Sequence, residues 1–288
     1  MATYLSEEKI KTLEKKARDI RETIIRMLVS AGSGHTAGPL GMTDVFTTLY
    51  FHTLNHNPEN PDWKDRDRLV LSNGHIVPVQ YATMAHAGYF PIEECLTLRK
   101  FSSRLQGHPE REKLPGLETT SGPLGSGLSQ ASGMAYGAKM DGKKFRVYCL
   151  MSDAEQQAGN IWEAAMFAGA NKLGNLIGII DRNNIQINGM TEDIMPLEPL
   201  RKKYEAFGWH IIDVDGHNME EIADACEKAR AIYEKPTLII AHTIPGKGIP
   251  EIEFDFTWHG KPPNSKEAEA FIKDIRSMRG AVSCGDTD

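Results

Sequence analysis

Four short runs of apolar and β-branched residues, "FRVYCLM" (145–151), "NLIGIID" (175–181), "WHIIDVD" (209–215) and "TLIIAHT" (237–243), decide most of what this chain can become. They are near-continuous in hydrophobicity, which marks strands buried on both faces. Between them lie helical patterns at 159–171, 198–207 and 218–232. Strands alternating with helices specify an α/β fold: a mostly parallel sheet with helices on both faces. Ligands of such sheets bind beyond the carboxyl ends of the strands. Asp153, the segment Asp181 to Asn184, Asp215 and "PGKG" (245–248) all fall there.

Upstream, residues 6–30 place Ile10, Leu13, Ala17, Ile20, Ile24 and Leu28 on one helical stripe, with Ser6 as its N-cap. The glycine-rich "AGSGHTAGPLG" (31–41) then reads as a loop, as does "TTSGPLGSGLSQ" (119–130), which runs into a small-residue helix, "ASGMAYGAKM". With no internal repeat or linker, residues 1–276 are expected to form a single domain. The aperiodic 277–288 is expected to be a flexible tail.

A formal charge of −6 gives no electrostatic reason to expect nucleic acid or an anionic membrane as partner. An anionic small ligand must therefore be held by local groups. Cys95, Cys149, Cys226 and Cys284 are scattered, with no CxxC or Cys/His metal spacing, as suits free thiols in a reducing compartment. The start is charged and helical in period, and no apolar run approaches the roughly 20 residues needed to span a bilayer. A cytoplasmic location follows as the expectation.

Asp153 and Asn183 end two successive strands. With a backbone carbonyl near Ile185 they would give a hard divalent cation the oxygen ligands it prefers, a phosphate completing the set. Capping residues are also common at strand ends, and spacing alone leaves both readings open. Neither glycine loop matches a phosphate loop or a dinucleotide fingerprint. Beside glycine or proline, however, stand His35 in "SGHTAGPLG", His75 in "LSNGH", His108 in "QGHPE" and His259 in "WHGKP". The other histidines (His52, His56, His86, His210, His217, His242) lack that setting and read as structural.

Taken in order, "SGHTAGPLG", "LSNGHIVPVQYA", "GHPE…PGLETTSGPLGSGLSQASGMA", "SDAEQQAGNIWEA…NKLGNLIGIIDRNNIQINGMT" and "WHGKP" resemble the successive blocks of the transketolase amino-terminal region. That region is the diphosphate-binding domain of a thiamine-diphosphate enzyme, and the likeness spans roughly residues 5–262. It implies that Asp153, Asn183 and the carbonyl of Ile185 bind Mg²⁺ or Ca²⁺ against the diphosphate of thiamine diphosphate. It places the backbone of Gly122, Pro123 and Leu124 against the cofactor, and the amide of Ala154 where a glycine amide normally faces it. His75 and His259 would line the diphosphate and the reaction centre. His35 and His259 would contact the sugar near its carbonyl, and His108 the hydroxyls of the transferred two-carbon unit.

Two positions depart from the family pattern. Its GDG is "SDA" here, so a positive φ at Ala154 would strain the turn, whereas an ordinary φ would cost nothing. Its usual glutamate in "QEG" is Ala158; relatives pair that residue with one matched by Glu163 in an acidic cluster between active sites.

The resemblance also implies what this chain lacks. The glutamate that activates the cofactor's pyrimidine lies in a second, pyrimidine-binding domain. The expected partner is thus a separate carboxy-terminal subunit, in a hetero-oligomer with two copies of each chain. Together they would move a two-carbon ketol unit from a ketose phosphate to an aldose phosphate. The alternatives are a non-catalytic cofactor-binding subunit or a deoxyxylulose-phosphate synthase-like enzyme; the histidine blocks favour transketolase.

Overall fold

The computed structural model describes residues 5–277. The chain opens with α1 (Glu7–Ala31), α2 (Ala37–Gly41), α3 (Thr43–Thr48) and β1 (Arg68–Leu71). Helices α4 (Val77–His86) and α5 (Ser126–Met140) lead to β2 (Val147–Ser152), and α6 (Gly159–Ala170) leads to β3 (Leu176–Arg182). A hairpin of β4 (Ile185–Gln186) and β5 (Gly189–Met190) follows, then α7 (Thr191–Ile194) and α8 (Leu200–Ala206). The chain continues through β6 (His210–Asp215), α9 (Met219–Ala231), β7 (Thr237–His242) and α10 (Ser265–Ser277).

Local chemistry sets the limits of α1. Ser6 Oγ accepts from the amide of Lys9 at 3.2 Å, and Glu7 and Glu8 complement the positive end of the helix dipole. Gly32, at φ +62°, stops it. The anticipated stripe is buried from Leu13 to Leu28, with Ile10 at its margin.

The main sheet has the order β1-β2-β3-β7-β6, with every pair parallel. Successive strand residues feed two different cores. Tyr148, Leu150, Ile177 and Ile179 pack on the side of α1, α4 and α9. Val147, Cys149, Met151, Leu176 and Ile180 pack beneath α5 and α6. Each such side chain is worth about 1.5–3 kcal/mol when fully buried, so both faces demand apolar residues. That is why the strands read as unbroken apolar runs.

Four local expectations are corrected. "RLVL" (68–71) is the edge strand β1, unmarked in the sequence because it is short and flanked by charge. Ala37–Gly41, read as loop, is a buried helical turn held in place by tertiary contact: Gly246 N donates to the carbonyl of Ala37 at 2.9 Å. The second glycine segment becomes helical at Ser126. Ser277 ends α10, so it is not part of a tail, and 278–288, with Cys284, lie outside the described residues.

The register brings the carboxyl ends of the strands to one edge, pairing Ser152 with Asp181, Asp181 with Ala241, and Arg182 with His242. Among the described residues no helix is long and apolar enough to cross a membrane.

Candidate functional site

Asp153 follows β2 directly and is fully buried. Its Oδ1 accepts from Ala154 N at 2.6 Å, and its Oδ2 accepts from Asn184 N at 2.7 Å and Arg182 Nη1 at 3.0 Å. Burial pushes the Asp153 carboxyl above its usual range, and Arg182 and the two amides pull it back. The donors around it favour the ionised form, and we take the pair with Arg182 as ionic. Across the strand ends, Asp181 accepts from Thr243 Oγ1 at 2.5 Å and Asn183 Nδ2 at 2.8 Å. Burial, with the nearby Asp153 charge, raises Asp181 to about 7. Because Asp181 takes the amide nitrogen of Asn183, the carboxamide oxygen turns the other way, where it accepts from Ile185 N at 3.0 Å. Asn184 sits between them at φ +62°, a conformation asparagine tolerates better than most residues.

All the site residues expected from the sequence line one cavity of about 410 Å³, except Pro123 and Asp153. Pro123 is exposed on its loop, and Asp153 is buried behind lining residues Ser152 and Ala154. A wider open depression of about 580 Å³, around Glu110 and Thr120, contains none of these groups and lacks their chemistry.

The loop histidines form the far wall. Ring centroids lie 4.8 Å apart for His35 and His75, 5.1 Å for His75 and His259, and 5.4 Å for His35 and His259. His108 lines the same cavity. Burial lowers all four pKa values, His35 to about 4. The neighbouring imidazoles deepen the shift at His35 and His75, and Arg99 adds to it at His35 and His108. The cluster is therefore neutral near pH 7, each ring offering one donor and one acceptor. His35 Nδ1 is buried with no hydrogen-bond partner, which leaves a position for a ligand. Backbone space fixes His75: a Cβ on the preceding Gly74 would fall 2.3 Å from Ser121 Oγ.

The strain considered for Ala154 is absent. The residue opens a 3₁₀ turn, Ala154–Gln157, and among the described residues the non-glycine ones with positive φ are Arg99, Ser102, Lys172, Asn184 and Phe254.

Two residues without an assigned role prove central. Arg182 clamps Asp153, and Glu155 accepts from three donors around the glycine loop. Strand alternation carried a signal for Arg182, which must point away from Asp181 and Asn183. For Glu155 the sequence held none beyond its place after Asp153.

Among the described residues no three His, Cys, Asp or Glu side chains converge as a metal site. A cation here would depend on one carboxylate, one carboxamide oxygen, a backbone carbonyl and the ligand's own oxygens. Those hard oxygens suit Mg²⁺ or Ca²⁺.

The sequence model for the transketolase thiamine diphosphate binding domain matches residues 13–280. The chain belongs to the transketolase family. It is 44% identical over 244 residues to the 6-deoxy-6-sulfo-D-fructose transketolase subunit SqwG of Clostridium sp. (strain MSTE9), covering 85% of this chain and 88% of that one. It is 40% identical over 266 residues to an apulose-4-phosphate transketolase subunit of Phocaeicola vulgatus, covering 92% and 94%. The crystal structure of Campylobacter jejuni transketolase superposes with a TM-score of 0.86 at 36% identity, covering 92% of this chain. This chain spans 43% of that longer transketolase. It is a transketolase subunit with the thiamine-diphosphate-binding fold, and ketol transfer is the general reaction of transketolases.

Proposed function

We propose that this chain supplies the diphosphate-binding half of a transketolase active site, and that a second chain with the pyrimidine-binding domain supplies the other. The observation that carries this reading is the convergence of four neutral loop histidines with Asn183 and Ile185 on one cavity at the carboxyl edge of the sheet. The partner reading rests on the two relatives named as subunits, which this chain matches over nearly their whole length.

In this reading Asp153, the carboxamide oxygen of Asn183 and the carbonyl of Ile185 hold Mg²⁺ or Ca²⁺ against the diphosphate. The Gly122, Pro123 and Leu124 backbone and Ala154 border the cofactor, and His75 and His259 flank its diphosphate and reaction centre. Thiamine diphosphate supplies the carbon centre that carries the two-carbon unit between sugars. The protein's own work is positioning and proton movement. His35 and His259 hold the sugar oxygen at the scissile carbon; a neutral imidazole takes the hydroxyl proton there as base, and the imidazolium so formed returns it in the reverse, bond-forming step. His108 holds the hydroxyls of the transferred unit.

The substrates are a ketose phosphate donor and an aldose phosphate acceptor. The four histidines are neutral and give the sugar's phosphate no cation, so that contact falls to Arg99, which stands near His35 and His108, and to the partner chain. The assembly contains two copies of each chain in the cytoplasm. The buried free thiols of Cys95, Cys149 and Cys226 suit that compartment. Titration calorimetry of thiamine diphosphate on the co-expressed complex, with and without Mg²⁺, tests the site. Affinity should collapse without metal and in Asp153→Ala; equal affinity in all three cases would refute it.

A further inference from the structure

One buried carboxylate has no place in the scheme above. Glu155 is 1% exposed, and its partners are neutral donors at three different points of the fold. Its Oε1 accepts from the amide of Gly125 and from Ser72 Oγ, and its Oε2 accepts from Ser152 N at 3.2 Å. Ser72 Oγ in turn accepts from Gly127 N at 3.0 Å, and Ser152 Oγ from Glu155 N at 3.2 Å. A single side chain thus joins the residue after β1, the end of β2 and the turn that opens α5.

That turn stands directly behind the cavity wall. Gly125 is the N-cap of α5 at φ +89°, with no side-chain cap of its own. A Cβ there would come 2.2 Å from Asn160 Oδ1 and 2.9 Å from Ala158 Cβ, so the turn is pressed onto the start of α6. Gly122 and Leu124 line the cavity, while Pro123 and Leu124 are exposed; on that outer side the Pro123 carbonyl accepts from Ser126 Oγ at 2.8 Å, a contact within the loop that does not tie it to the sheet.

We propose that Glu155 is the positioning residue that fixes the Gly122–Leu124 wall of the cofactor cavity, by accepting hydrogen bonds from Gly125, Ser72 and Ser152. The proposal rests on the reading of that cavity as the cofactor site. It also explains why this position holds an acid. Three donors converge on the two oxygens, and a carboxylate is acceptor-only at both. A carboxamide has one acceptor oxygen, and its NH₂ group would face either the Gly125 or the Ser152 amide, donor against donor.

The test is Glu155→Gln in the co-expressed complex. Amide hydrogen exchange over 122–127 should quicken. Thiamine diphosphate should bind about tenfold more weakly, the scale of one buried donor left unpaired, while the melting midpoint moves by only a few degrees. Wild-type exchange and affinity would overturn the proposal. So would a lowered midpoint with unchanged affinity, which is the mark of a purely structural acid. Should the glutamine variant fail to fold, Ser72→Ala takes its place, since it removes one donor and the support under Gly127. It should quicken exchange over the same segment and weaken cofactor binding several-fold, and no change in either would count against the proposal. If the wild-type complex takes up no thiamine diphosphate, the cofactor reading fails by itself. Exchange at Gly125 in the variant then still decides whether Glu155 anchors the loop.

Discussion

Arg182 Nη1 donates to Asp153 Oδ2 over 3.0 Å, across the ends of two neighbouring strands, with both side chains withdrawn from solvent. The other arm of the guanidinium reaches Glu192 at 2.6 Å and Glu198 at 3.3 Å. The carboxylate proposed to hold a cation therefore already has one positive charge beside it, supplied by the protein.

Removing that charge should expose what it does. In Arg182→Met the buried carboxylate of Asp153 loses its counter-ion, a change that costs roughly 3–5 kcal/mol in buried pairs. Thermal melting of the variant should fall accordingly. Mg²⁺ should restore more stability to it than to the wild type, because a divalent ion then has no neighbouring guanidinium to oppose it. Equal metal-induced shifts in the two proteins would contradict this.

Ala154→Gly should not tighten the cofactor. Ala154 has no left-handed φ, and its amide already donates to Asp153. The glycine adds only freedom to the unfolded chain, so stability should drop by about 0.4–1 kcal/mol with thiamine diphosphate affinity unchanged. Several-fold tighter binding on calorimetry would mean that the methyl group crowds the site.

Gly74→Ala is expected to do the reverse. Its Cβ would meet Ser121 Oγ at 2.3 Å and Pro109 Cδ at 3.1 Å, so the segment carrying His75 must shift. Overpacking of this kind costs about 1–3 kcal/mol, and cofactor affinity should fall along with the melting midpoint. A variant with wild-type affinity would show that His75 is not fixed by this contact.

Acid should destabilise the cofactor-free chain through its buried histidines, outweighing the opposing contribution of buried carboxyls such as Asp181, which is raised to about 7 and so gains stability on protonation. His217 Nδ1 lies 2.7 Å from Asp44 Oδ2, and its Nε2 accepts from Ile244 N at 2.7 Å, so only the neutral ring fits. Burial lowers its pKa despite Asp44, and burial likewise lowers His35, His75 and His259. The folded state then binds protons less readily than the unfolded state. Stability is full above the unfolded value near 6.5 and declines as pH falls, for His35 down to about 4. Denaturant titrations at pH 7.5, 6 and 5 should give steadily smaller unfolding free energies; a flat profile would refute the account.

Ketol transfer should require the second chain. The purified single chain should give no turnover with any sugar phosphate pair, and mixing it with its partner should restore it. Robust activity of the lone chain would end the split-site proposal.

The sheet and the histidines were legible because their signals are local. Both faces of β2, β3 and β7 are covered, so these strands appear as apolar runs, and histidines beside glycine or proline stand outside any apolar periodic pattern. What stayed hidden depends on distance in sequence. Arg182 stands between Asp181 and Asn183, and nothing in "DRNN" tells that it reaches back to Asp153. Glu155 meets Ser72 and Gly125 only after three segments have folded together. The helical turn at Ala37–Gly41 likewise exists through contact with the 244–246 segment, against the preference of its own glycines and proline.

The strand register also sets which changes in length this protein can survive. Deleting one residue inside β3 would exchange the faces of Asp181 and Arg182, turning the arginine towards Thr243 and the acid towards Asp153. Neither charge would then find its partner, so insertions and deletions in the sheet should be purged. The β4–β5 hairpin is tied by just two residue pairs, Ile185 with Met190 and Gln186 with Gly189. Its tip at Ile187 and Asn188 borders the same cavity and can lengthen or shorten at small cost. Relatives can thus vary there while the strand ends that carry Asp153, Asp181 and Asn183 stay fixed.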